Sequence, residues 1–145
     1  FMQLKRWAGL CAVLVLAGCP SMSSGPSLGG SWREVGVSQN GNMRYEIDTS
    51  SIRKEGSRVS FRERITVSDA GREHYVNTPH FKTAVNQWQF DCQARTRRLA
   101  AVDMWDASGN KLATNQYETA RRPAQPVVKG SAGGKQFEIA CGKTL

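Results

Sequence analysis

The sequence predicts a mostly β domain of the α+β class: an antiparallel sheet of six to seven strands, followed by one C-terminal helix tied to it by a disulfide. Three observations predict it. Between Trp32 and Tyr117 apolar residues return at every second position, as on a strand with one buried face, rather than about every 3.6 as on a helix. Clusters of Asn, Asp, Ser and Gly break that pattern at short intervals. Pro123 and Pro126 end it, ahead of a last segment, Ser131 to Cys141, that reads as a helix.

The residues ahead of the sheet read as a leader and a tether. With Met2 taken as the start, Lys5 and Arg6 precede an apolar run from Trp7 to Ala17. That is the layout of a secretory signal, and the run is well short of the roughly 20 residues of a retained spanning helix. Leu16-Ala17-Gly18-Cys19 has the form of the bacterial lipoprotein box, so residues 1–18 are expected to be removed and Cys19 to carry the lipid. Several acyl chains, at about 0.8 kcal/mol per buried CH₂, would hold the chain on a membrane surface. Pro20, rather than the aspartate that favours inner-membrane retention, points to the outer membrane of a Gram-negative bacterium. Residues 19–30, rich in Ser, Gly and Pro and without charge, then form a flexible tether, and residues 31–145 a single domain.

Removal of the leader would take away Lys5 and Arg6 and no acid, lowering the net charge from +8 to +6. A balance of that sign favours anionic partners. The same cut removes Cys11, and Cys19 takes the lipid, so Cys92 and Cys141 remain as a pair in an oxidising compartment, where a disulfide is expected.

Within the domain, Trp32 to Val37 is the first strand, and Asn40-Gly41 is a strong hairpin signal. Met43, Tyr45 and Ile47 then alternate with Arg44, Glu46 and Asp48 in a half-buried strand. Asp48 to Ile52 makes a tight or single helical turn that Gly56 ends. Next, Val59, Phe61, Ile65 and Val67 face a core while Arg58, Arg62 and Arg64 form a basic ladder on the other side. Glu63 interrupts the apolar set; a buried carboxylate needs a partner, and a place at a sheet edge or pairing with an arginine is expected ahead of a role as a functional acid. Ser68 to Gly71 turns the chain, and Glu73 to Asn77 is expected to return as a strand. Phe81 to Cys92 places Ala84, Trp88, Phe90 and Cys92 on one face. Arg95 to Trp105 pairs with it, with either Leu99, Ala101 and Trp105 or Ala100, Val102 and Met104 facing the core. After a turn at Asp106 to Asn110, Lys111 to Tyr117 completes the meander. Gly142 suits the C-cap of the helix, which Gly133 and Gly134 weaken by about 1 kcal/mol each relative to Ala.

The stretch from Arg44 to Val67, the segment Val85 to Cys92, and Asp103 to Asn110 before a late Cys141 together resemble the surface-adhesin protein E family of small Gram-negative lipoproteins. The resemblance covers most of residues 32–141. It implies a sheet curved as a half-barrel, with the C-terminal helix held by the disulfide. It also implies attachment to host matrix or serum proteins, carried in the family's namesake by a basic segment just before the first cysteine. Here the corresponding stretch, Pro79 to Asp91, has only His80 and Lys82, so a basic contact surface must draw on Arg95, Arg97 and Arg98 or on Arg58, Arg62 and Arg64.

No catalytic motif competes with a binding role. The two histidines, His74 and His80, lie in no metal-ligand spacing, and no nucleophile elbow, phosphate loop or dinucleotide fingerprint occurs. Neither a cofactor nor a metal is expected. An exported lipoprotein would rarely meet nucleic acid, and Trp88 and Phe90 fall on the core face rather than on a stacking platform. No oligomeric state is read from the sequence. Two classes remain: a non-catalytic binding module at the cell surface, with a protein or anionic glycan partner, and a periplasm-facing accessory or structural lipoprotein of the envelope.

Overall fold

The computed structural model describes residues 26–145; the expected leader, and Cys19 with its expected lipidation, lie outside the described residues. β1 (Trp32–Val37) and β2 (Met43–Asp48) form a hairpin. Gly41 supplies the positive φ of +74° that its turn requires, and the Ser38 amide donates to the Met43 carbonyl at 2.8 Å. Asp48 then caps a single 3₁₀ turn, Thr49–Ser51. The chain continues through β3 (Arg53–Glu55), β4 (Arg58–Val67), β5 (Thr83–Asp91), β6 (Thr96–Trp105), β7 (Lys111–Gln116) and β8 (Gln125–Pro126) to α1 (Ala132–Cys141). Six strands run antiparallel in the order β1-β2-β4-β5-β6-β7, while β3 pairs with the start of β4 and β8 with the start of β6. The sheet is an open half-barrel, with edges at β1 and β7.

Three expectations are corrected. Glu73 to Asn77 forms no strand: a 3₁₀ turn at Ala70–Arg72 leads into irregular chain, because β5 itself occupies the β4 edge that this segment would need. Tyr75 there stacks on His80 and donates its hydroxyl to the Phe81 carbonyl. Gly56 does not end a helical turn but closes a short hairpin between β3 and β4. On β6, the core-facing set changes at a bulge, since Trp88 pairs with Leu99 but Gln87 with Ala101, so Ala100 is the extra residue. Before the bulge Arg97 and Leu99 lie on the face of Phe90 and Trp88; after it Val102 and Met104 lie on that of Asn86 and Ala84.

The main core lies between this concave face and α1. Ile47, Val59, Phe61, Phe90 and Phe137 are buried, with the Phe61 and Phe90 rings 4.8 Å apart. The Cys92–Cys141 disulfide joins the end of α1 to the chain just past β5. Ser131 caps α1 by accepting from the Gly134 amide at 3.0 Å, and Gly142 ends it in the left-handed conformation. The two helix glycines have a packing role. A Cβ at Gly134 would collide with the Val128 carbonyl oxygen, and one at Gly133 would stand 2.9 Å from Nη1 of Arg97.

Candidate functional site

Cross-strand partners share a face, so the registers place each predicted basic residue. Arg62 and Arg64 lie on the convex face, where each is already bound. Arg62 donates from Nη2 to Oδ2 of Asp48 at 2.5 Å, and Arg64 grips Glu46 through two bonds of 3.0 and 2.8 Å. Both guanidinium groups cover the Trp32 ring, at 5.1 and 4.5 Å from its centroid. Glu46 and Asp48 are consequently buried, although their positions on β2 alternate with its apolar set. Burial opposes ionisation of Asp48, but the Ser50 hydroxyl, the Ser31 and Ser50 amides and Arg62 outweigh it and hold the carboxyl at about 2.

Arg58 and Arg98 remain without a carboxylate ion pair, and structure adds a residue to them that the sequence reading did not select. Arg53 on β3, Ser60 on β4, Gln89 on β5 and Arg98 on β6 follow one another as partners across four strands. At about 4.8 Å per strand this row is roughly 14 Å long. Arg58 stands in the next row, opposite Glu55 and Asp91, and a cavity of about 370 Å³ is lined by Arg53, Lys54, Glu55, Arg58 and Gln89 among others. Arg53 was missed because β3 was read as a turn. Arg95 sits at the same end of the sheet, exposed in the β5–β6 turn with φ +58°.

The remaining residues lie elsewhere. Lys82 is at the opposite end of β5, donating to the Ser68 carbonyl at 2.8 Å. Arg97 and Arg98, adjacent in sequence, point to opposite faces. Arg97 enters the concave side with its guanidinium 4.4 Å from the centroid of Trp88.

That concave side holds a second feature, an open groove of about 670 Å³ between β1, the sheet and the first turn of α1. Glu63 lies against it, 3% exposed on a central strand, neither at an edge nor ion-paired with an arginine. Its Oε1 accepts from Asn86 Nδ2 and Trp88 Nε1, both at 2.9 Å, and its Oε2 from Gln136 Nε2 at 2.6 Å. Neutral donors therefore replace the expected ion pair. Tyr45 lines the same groove, and burial, with the Glu63 charge adding to it, pushes its hydroxyl above the ordinary range. Among the described residues no three His, Cys, Asp or Glu side chains gather into a metal-binding group.

Comparison with known proteins gives this geometry a context. Two solved structures of Haemophilus influenzae protein E share the fold. One matches with a TM-score of 0.52 and 15% identity over 81% of this chain and 89% of that one. The other, a second crystal form, matches with a TM-score of 0.52 and 14% identity over 75% of this chain and 87% of that one. No curated protein sequence is significantly similar to the chain. The profile of the Surface-adhesin protein E family, however, matches residues 32–142, from the first residue of β1 to the C-cap of α1. With that match spanning the whole folded domain, the chain belongs to the Surface-adhesin protein E family.

Proposed function

We propose that this protein is a non-catalytic binding module of the outer membrane, anchored through a lipidated Cys19, that attaches at the cell surface to a host matrix or serum protein or to an anionic glycan. The observation that carries the reading is the convex face on which Arg53 and Arg98 in one row and Arg58 in the next stand without a carboxylate ion pair. Arg53 and Arg98 donate only to backbone carbonyls, so they can meet anionic groups without breaking an ion pair, whereas Arg62 and Arg64 would first have to abandon theirs. Membership of an adhesin family supports the same role, and the uncharged residues 19–30 would let the domain stand away from a bilayer.

Proteinase treatment of intact bacteria, with a periplasmic marker and permeabilised cells beside it, tests the placement. Loss of the domain from intact cells is expected. Survival until the outer membrane is opened would turn the basic row inward and make the chain an accessory lipoprotein of the envelope.

A further inference from the structure

The groove on the concave face carries unmatched charge of both signs. On its floor, Glu63 has three partners, all of them N–H donors. A carboxylate offers about four acceptor positions, so one on Oε2 is left over. No lysine, arginine or histidine among the described residues forms an ion pair with it. A buried carboxylate so placed lacks a counter-charge.

The groove also carries positive charge. Arg97, its guanidinium over the Trp88 ring that donates to Glu63, and Lys135 both line it, and Nε of Arg97 is buried without a hydrogen-bond partner. Lys135 belongs to the first turns of α1, where the unpaired amides already favour an anion, and no acidic residue occupies the first turn to offset it. Gly133 lets the Arg97 guanidinium lie against that helix end. The apolar surfaces of Val35, Tyr45 and Ile65 line the same groove, with Ile65 and Tyr45 in the row beyond Glu63 from Arg97.

From this arrangement we propose that the groove is a binding pocket for a small zwitterion, an α-amino acid with an apolar side chain. Its ammonium group donates to the open position on Glu63, its carboxylate lies against Arg97 and Lys135, and its side chain covers Tyr45 and Ile65. An anion alone would add a second negative charge beside Glu63, and a cation alone would face Arg97. Only a ligand with both charges answers both groups. The volume of about 670 Å³ lies within the roughly 300–1,000 Å³ usual for small-molecule pockets. The site is separate from the convex arginine row, so it stands or falls independently of the adhesive reading.

The test is a titration of the purified, ¹⁵N-labelled full-length chain, followed by amide chemical shifts. The probes are L-phenylalanine, its methyl ester and N-acetyl-L-phenylalanine. Free phenylalanine is expected to shift the amides of Glu63, Asn86 and Gly133 saturably, with a Kd on the order of 1 mM. Each blocked analogue should bind at least about tenfold more weakly, or ~1.4 kcal/mol. Glu63→Gln keeps an acceptor for Asn86 and Trp88 and should lose the discrimination against the N-acetyl probe. Arg97→Met, in an otherwise intact β6, should lose that against the ester. Equal binding of all three probes would reduce the groove to an apolar slot and overturn the proposal. So would shifts confined to other regions, or none up to about tenfold above that Kd.

Discussion

Asp48 shows how much one buried charge can organise. Its carboxylate accepts from the Ser31 and Ser50 amides at 2.8 and 3.0 Å and from the Ser50 hydroxyl at 2.6 Å, while Arg62 binds the other oxygen. These bonds fix the entry to β1, the turn after β2 and the middle of β4 to one another. Because its carboxyl titrates at about 2 in the fold and near 3.8 in a free chain, the stabilisation is complete above pH 3.8 and is lost as pH falls through 2. The contribution is roughly 2 kcal/mol. Urea unfolding of the wild type and of Asp48→Asn should therefore differ most at pH 5 and above, and the two curves should converge by about pH 2. A gap that stayed constant with pH would mean that shape, not charge, fixes this residue. Glu63 marks the limit of sequence reading at this scale. Alternation puts it on the core face, but its donors come from positions 86, 88 and 136, the last 73 residues away, and no local pattern carries that information.

Elements were legible where their signals were local. The Asn40-Gly41 hairpin, the turn at Asp48, the alternation of β4 and the Gly142 cap of α1 all rest on residues within a few positions of one another. The errors came where pairing decided the outcome: β3 exists because β4 extends far enough to receive it, and residues 73–77 stay irregular because β5 already holds the edge. Helix propensity misled in the same way at Gly133 and Gly134, which weaken α1 as an isolated helix but let it approach Arg97 and Val128. Gly134→Ala is thus expected to destabilise the protein by about 1–3 kcal/mol, although an alanine gains about 1 kcal/mol of helix propensity. The thermal midpoint reads the sign directly. A rise would show that the chain before α1 yields to the added methyl group.

For the whole molecule, the sequence discloses the sign of the charge but not its placement. A net charge of +8 predicts an attraction to anions, yet Arg62 and Arg64 are neutralised by acids 14 and 18 positions away, and Arg97 turns to the face opposite Arg98. The sheet register sorts these residues, leaving Arg53, Arg58 and Arg98 together on the convex side. Converting all three to Glu changes the net charge from +8 to +2. That shift weakens any long-range attraction, so the decisive comparison is with Arg33→Glu, Arg72→Glu and Lys129→Glu, which remove the same charge from exposed positions outside the row. On immobilised heparin, an anionic glycan probe, the row variant should elute at clearly lower salt than this control, because direct contacts persist at ionic strengths where attraction beyond a Debye length of about 10 Å is screened. Both variants should fold, since none of the six side chains forms an ion pair or belongs to the core. Equal elution of the two would assign the attraction to net charge alone and remove the convex row as the contact surface.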